Sequence, residues 1–167
     1  MKTYSKINLN SPSVKDIISE FSINQINIIL IGSEAGKIYN LCDSKKDIDF
    51  LIENTKENLN KLYCFLSKFF TLENFDDFTQ HNRYILYPPN EKAIEIFNHN
   101  GTFVTYEDIK EKKTIVNFYD ENIYMIHLDD YIDYIKKAKK YYQNNFNSTN
   151  YKKYANILKV YQERNVP

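Results

Sequence analysis

Asp47 and Asp49 flank a single isoleucine in an apolar run, and thirteen residues (34–46) separate them from the triplet Ile31-Gly32-Ser33. Residues i and i+2 of a β-strand project from the same face, so the two carboxylates are expected side by side. Paired hard oxygens of this kind suit Mg²⁺. A Gly-Ser turn ahead of a helix offers backbone N–H groups and a hydroxyl to a phosphate. A phosphate cradle beside metal-binding carboxylates is the equipment of phosphoryl or nucleotidyl transfer.

An Asp-x-Asp pair on a half-exposed strand is common and carries little information alone. Two features raise its weight. Aspartate is disfavoured in strands, and a merely solvated face is more cheaply built from Thr or Lys. The chain also has three glycines in all, of which Gly32 and Gly36 lie in this one segment.

The arrangement Ile31-Gly32-Ser33, a spacer, then Asp47-Ile48-Asp49-Phe50 resembles the signature of the nucleotidyltransferase superfamily, the fold shared with polymerase beta. The resemblance runs from about Ile26 to Phe97 and implies an α+β fold, a mixed β-sheet with flanking helices and a C-terminal helix pair. It also implies a third carboxylate on a later strand between apolar residues, and Ala93-Ile94-Glu95-Ile96-Phe97 supplies one. Glu95 alternates with Ile94 and Ile96, so it reaches a polar cleft while they enter the core.

What the resemblance implies chemically is Mg²⁺ (or Mn²⁺) held by Asp47, Asp49 and Glu95, with a nucleoside triphosphate as substrate. Gly32, Ser33 and the amides up to Glu34 would hold its phosphates, and Lys37 is a further phosphate candidate. Glu95 is either a metal ligand or the general base for the acceptor. The expected reaction is NMP transfer from an NTP to an acceptor hydroxyl, with a small molecule favoured as acceptor. Modification of tRNA or protein, as in toxin–antitoxin enzymes, stays open, as does a non-catalytic interaction or nucleotide-binding protein that kept the fold. The chain departs from many relatives in having Ser44-Lys45-Lys46 before the first aspartate and Gly36 where short antitoxin-type relatives have Arg or Lys.

The elements that must position these residues are readable in outline. Ser11 and Pro12 suit the start of a helix carrying Val14, Ile17, Ile18 and Phe21 at helical spacing. Residues 26–31 read as a buried strand, 34–41 as a helix and 46–53 as the strand with the aspartates. An amphipathic helix follows over Leu59 to Phe70. Residues 82–87 and 92–98 form a hairpin around Pro88-Pro89-Asn90-Glu91, which puts Glu95 on its second strand. A short helix starts at Tyr106, a second hairpin turns at Asp120-Glu121, and Asp129-Asp130 cap a helix running to Tyr142. A last helix ends near Arg164.

At 167 residues, 43% hydrophobic and 26% charged, the chain is expected to form one globular domain, core about 12–127 and C-terminal helices about 129–164. No run of eighteen apolar residues exists and the first residues lack an apolar signal core, so no membrane partner and a cytoplasmic location are expected. Cys42 and Cys64 share no metal-ligand spacing with each other or with His81, His99 and His127, and all five read as packing or loop residues. Net charge is zero but uneven: from Tyr131 onward eight cations face two acids, a net +6 against −6 for the rest. Lys136 and Lys139 are candidates for phosphate contact within that basic quarter.

Overall fold

A computed structural model of the chain describes residues 2–4, 12–43, 47–98 and 103–164. The elements, in chain order, are β1 (Lys2–Tyr4), α1 (Val14–Ile23), β2 (Ile28–Ile31), α2 (Gly32–Ile38), β3 (Ile48–Ile52), α3 (Lys56–Ser67) and α4 (Phe75–Thr79). They continue as β4 (Arg83–Leu86), β5 (Ile94–Phe97), α5 (Tyr106–Ile109), β6 (Lys113–Phe118), β7 (Glu121–Ile126), α6 (Leu128–Asn144) and α7 (Ser148–Arg164). The fold is α+β. Its strands form one mixed sheet in the order β1-β4-β5-β3-β2-β7-β6.

The centre of the sheet is its most apolar part. β2 is buried along its whole length, between antiparallel β3 and parallel β7. Strands covered on both faces read as continuous apolar runs, and Ile28-Ile29-Leu30-Ile31 is such a run. β3 alternates: Ile48, Phe50 and Ile52 point one way, Asp49 and Leu51 the other. On the Phe50 face, α1 and α3 pack edge-to-face, with Phe21 5.7 Å from Phe50 and 6.0 Å from Phe65. On the Asp49 face lies α2, and behind it α6, whose Tyr131 hydroxyl fits against Gly36.

Several element ends differ from the sequence reading, each for a local reason. Ser11 lies outside the described residues. α1 is capped by Ser13, which forms a reciprocal capping box with Asp16 and leaves Pro12 ahead of the helix. α2 begins at Gly32 and stops at Ile38, because Asn40 adopts φ +58 and Leu41 N–H returns to the Gly36 carbonyl. In the second hairpin the turn residues are Tyr119 and Asp120, at φ +55 and +68, the geometry of a two-residue type I′ turn. The first strand residue of β7 is therefore Glu121. His127, rather than Asp129-Asp130, caps α6, its Nδ1 accepting from Asp129 N–H at 3.4 Å. Both aspartates occupy the first helical turn, where they complement the helix dipole.

Asn58, on α3 and almost fully buried, fastens the end of the sheet remote from Asp49. Its Oδ1 accepts from Asn27 N–H at 2.7 Å, and its Nδ2 donates to the carbonyls of Asn27 (3.1 Å) and Glu53 (3.0 Å). Among the described residues no helix is long and apolar enough to cross a membrane. Replacing Asn58 by Leu takes a hydrogen-bond partner from one backbone amide and two backbone carbonyls at the edge of the core. We expect a loss of about 2–4 kcal/mol in chemical denaturation, with the denaturant slope unchanged; a loss below about 1 kcal/mol contradicts this role.

Candidate active site

The register of three strands assembles the site. Asp49 pairs with Ile31 across the β2–β3 ladder and with Glu95 across the parallel β3–β5 ladder. Residues directly opposite one another in a sheet share a face, so Asp49 and Glu95 rise from the same side. Asp47 stands one residue ahead of β3 and keeps the alternation: Asp47 and Asp49 are partly exposed while Ile48 and Phe50 are buried. Its carboxylate comes within hydrogen-bonding reach of Glu95.

Gly32 is what allows Asp49 to sit where it does. A Cβ added at Gly32 would fall 2.0 Å from Asp49 Oδ2 and 2.9 Å from Asp49 Cβ. The residue also has φ +68, which L side chains rarely adopt. The carboxylate of β3 therefore rests on the bare backbone where β2 turns into α2. Ile31 occupies the N-cap of α2 and, being apolar, offers no side-chain acceptor to the first amides. Ser33 follows, buried. Gly32 and Asp49 are thus in contact, and Ser33 is the next residue along α2.

The electrostatics are those of crowded like charges. Burial, then the neighbouring Glu95 and Asp47 carboxylates, push the Asp49 carboxyl up to about 7, against the opposing pull of Lys153 and Arg83. Glu95 is raised too, by burial first, with the Arg83 guanidinium holding it down and Asp47 pushing it up. Arg83 forms an ion pair with Glu95 and lies over the Phe97 ring, 5.3 Å from its centroid. Among the described residues no three Asp, Glu, His or Cys side chains stand as a closed metal-ligand group; Glu95, as placed, is turned to Arg83.

Lys37 does not join the site. It is exposed in the last turn of α2, and five residues at 100° each put it about 140° around the helix from Gly32. Lys136 is exposed and pairs with Asp133, and Lys139 lies over the Tyr151 ring. His81 pairs with Glu73, Cys64 is exposed, and His99 lies outside the described residues. Cys42 is half-buried near α2, its Sγ 3.8 Å from the Ser33 carbonyl, and burial pushes its thiol up.

Four groups near the site carry no strong signal in the sequence. Glu34, almost fully buried in the first turn of α2, forms an ion pair with Lys92. Lys153 of α7 is the C-terminal cation whose charge acts on both Asp49 and Cys42. Tyr131, Tyr134 and Tyr154 make a buried wall whose charged forms are opposed by Asp49 as well as by burial. The Tyr131–Tyr134 and Tyr134–Tyr154 ring centroids are 6.0 and 6.4 Å apart. The only clue to Lys153 in the sequence is its place next to the periodic core residue Tyr154. Neither the family models nor the curated proteins compared with this sequence give a match.

Because the folded chain holds the Asp49 proton more tightly than the unfolded chain does, this group stabilises fully below about pH 4. That contribution is lost as pH rises to about 7, and Glu95, raised in the same direction, adds to the slope. In metal-free buffer we expect stability to fall by about 2 kcal/mol across this window. Asp49→Asn should flatten the dependence and raise the melting temperature at pH 8. A wild-type curve that rises through the same window contradicts the assignment. Gly32→Ala should cost about 1–3 kcal/mol through its backbone conformation and the displaced carboxylate, read by the same denaturation.

Proposed function

We propose that this chain is a nucleotidyltransferase of the polymerase beta-like fold, moving NMP from a nucleoside triphosphate to an acceptor hydroxyl. The observation that carries the reading is the seating of the Asp49 carboxylate on the bare Gly32 backbone, in register with Glu95 and beside Ser33. A structural aspartate gains nothing from that position. It is buried among like charges and raised to about 7.

The donor set fits Mg²⁺: hard carboxylate oxygens, mutually repelling, two of them raised by burial and by the neighbouring carboxylates. Asp47 and Asp49 would hold the ion, with Glu95 joining them or acting on the acceptor. Bound there with the triphosphate, Mg²⁺ supplies charge neutralisation at the transferring phosphate and lowers the pKa of the acceptor hydroxyl. The chain itself supplies position. Ser33 and the amides of Gly32 to Glu34 would orient the phosphate oxygens, while the missing Gly32 side chain leaves its space to the Asp49 carboxylate. Lys153 offers positive charge from α7, on the side of Asp49. Arg83 holds Glu95 in place by an ion pair, and burial raises the Glu95 carboxyl against that pull, which favours its taking a proton from the acceptor.

The deciding experiment incubates the protein with each labelled NTP, Mg²⁺ or Mn²⁺ and a cell extract, then separates labelled small molecules, RNA and protein. Asp47→Asn and Asp49→Asn should each lower transfer by at least about 10³-fold with the fold intact. Ser33→Ala should be milder, a loss on the order of 1.5–3 kcal/mol in transition-state stabilisation. Full activity in either aspartate variant sinks the proposal. Apart from activity, Mg²⁺ should raise the melting temperature more at pH 8 than at pH 5, since protons compete for the same oxygens.

A further inference from the structure

The row of carboxylates has two unlike sides. Toward the C-terminal helices stand Lys153 and the buried tyrosines. On the other side, Asp47 opens onto an open cleft of about 620 Å³, lined also by Tyr87, Asn90, Glu91, Lys92 and Tyr119. A cleft of that size is in the range that accepts a small organic molecule.

Its walls have a definite chemistry. Tyr87 and Tyr119 are 50% and 40% exposed, large rings left open to solvent at the cleft. The Tyr119 position is fixed. Tyr119 is in the type I′ turn at φ +55 and packs edge-on against Phe118, 4.9 Å between centroids. The hairpin that carries it is tied to α1 by Lys15–Asp120 at 2.7 Å and by Ser19 donating to Glu121 at 2.7 Å. Glu91 is likewise fixed, its Oε2 accepting from Val14 N–H at 2.9 Å. Among the described residues that line the cleft, the charge balance is negative. Lys92 is engaged by Glu34, while Asp47 and Glu91 remain as carboxylates on the cleft wall. The Tyr119 hydroxyl is raised by burial first and then by the charges of Glu34 and Glu91, which places it in that negative field.

Aromatic faces beside carboxylates favour a cation and oppose phosphates. We propose that this cleft is the acceptor site and that it takes a ring-bearing, positively charged small molecule, not a nucleic acid. The assignment as acceptor site rests on the transfer reaction proposed above, whereas the ligand class rests on the cleft alone. The triphosphate then approaches from the Lys153 side and the acceptor from the Tyr87–Tyr119 side, with Asp47 and Asp49 between them.

The test uses the full chain without nucleotide, so that it stands whether or not transfer occurs. Three probes share one phenol ring: tyramine carries a positive charge, 4-ethylphenol none, and 3-(4-hydroxyphenyl)propionate a negative one. Binding is followed by NMR shifts of the Tyr87, Asn90 and Tyr119 amides. Tyramine should bind about tenfold more tightly than 4-ethylphenol, and the anion most weakly. Tyr87→Ala with Tyr119→Asn, where Asn tolerates the positive φ, should abolish those shifts. Glu91→Gln keeps an acceptor for Val14 N–H and should weaken tyramine several-fold while leaving 4-ethylphenol unchanged. Equal or tighter binding of the anion, or no shift at these amides with any probe at millimolar concentration, overturns the proposal. Failure of transfer with intact tyramine binding overturns only its role as acceptor site.

Discussion

The repulsion among Asp47, Asp49 and Glu95 is the constraint around which the sheet is arranged. Three carboxylates on one face of adjacent strands are costly unless something opposes them, and each surrounding element does so in part. Arg83 pairs with Glu95 from β4, Lys153 acts from α7, and Asp49 keeps its proton up to about pH 7. The apolar centre of the sheet, with β2 wholly buried and Phe21, Phe50 and Phe65 interlocked behind it, provides the rigidity that keeps the charges together. Stability is given up locally and recovered in the core. Carboxylates perturbed in this way cluster at functional sites.

Glycine has a particular place in this economy of space. With Gly32 at φ +68 and Gly36 pressed by the Tyr131 hydroxyl, α2 lies closer to β3 and α6 than any other residue type would allow. Gly32 admits a carboxylate; Gly36 admits a phenol. The short helix is thereby clamped between the strand that bears the site and the helix that backs it. This explains why two of the three glycines fall within five residues of each other.

The parts of the fold carried by periodicity were legible in the sequence: the buried β2 run, the alternation in β3, the Pro-rich turn that puts Glu95 on β5, and the apolar stripe of α3. The site motif was legible for the same reason, since alternate residues of a strand share a face wherever the strand lies. What escaped was set by contacts across the sheet. That Glu95 meets Asp49 on a neighbouring strand was expected from the family resemblance, but that β5 runs parallel to β3 is a matter of strand order, which no local pattern encodes. Lys37 looked close in sequence and was carried away by helical rotation, while Lys153, more than a hundred residues from Asp49, was brought near by the packing of α7. Helix starts shifted by a few residues because Ser13 and His127 are the residues that cap α1 and α6.

The strand order has a kinetic consequence. The hairpin β4–β5 and the neighbouring pair β2–β3 need only modest loops to close, so the carboxylate half of the sheet can form from nearby segments. β2 acquires its other neighbour, β7, only when residues such as Leu30 and Met125 meet, with most of the chain between them. Contacts of such separation impose their loop-closure cost before any stabilisation arrives, and they slow folding. During synthesis, the apolar edge of β2 therefore emerges long before its cover. Until β7 and the helices after it arrive, that edge is the part of the nascent chain most in need of protection from pairing with another strand.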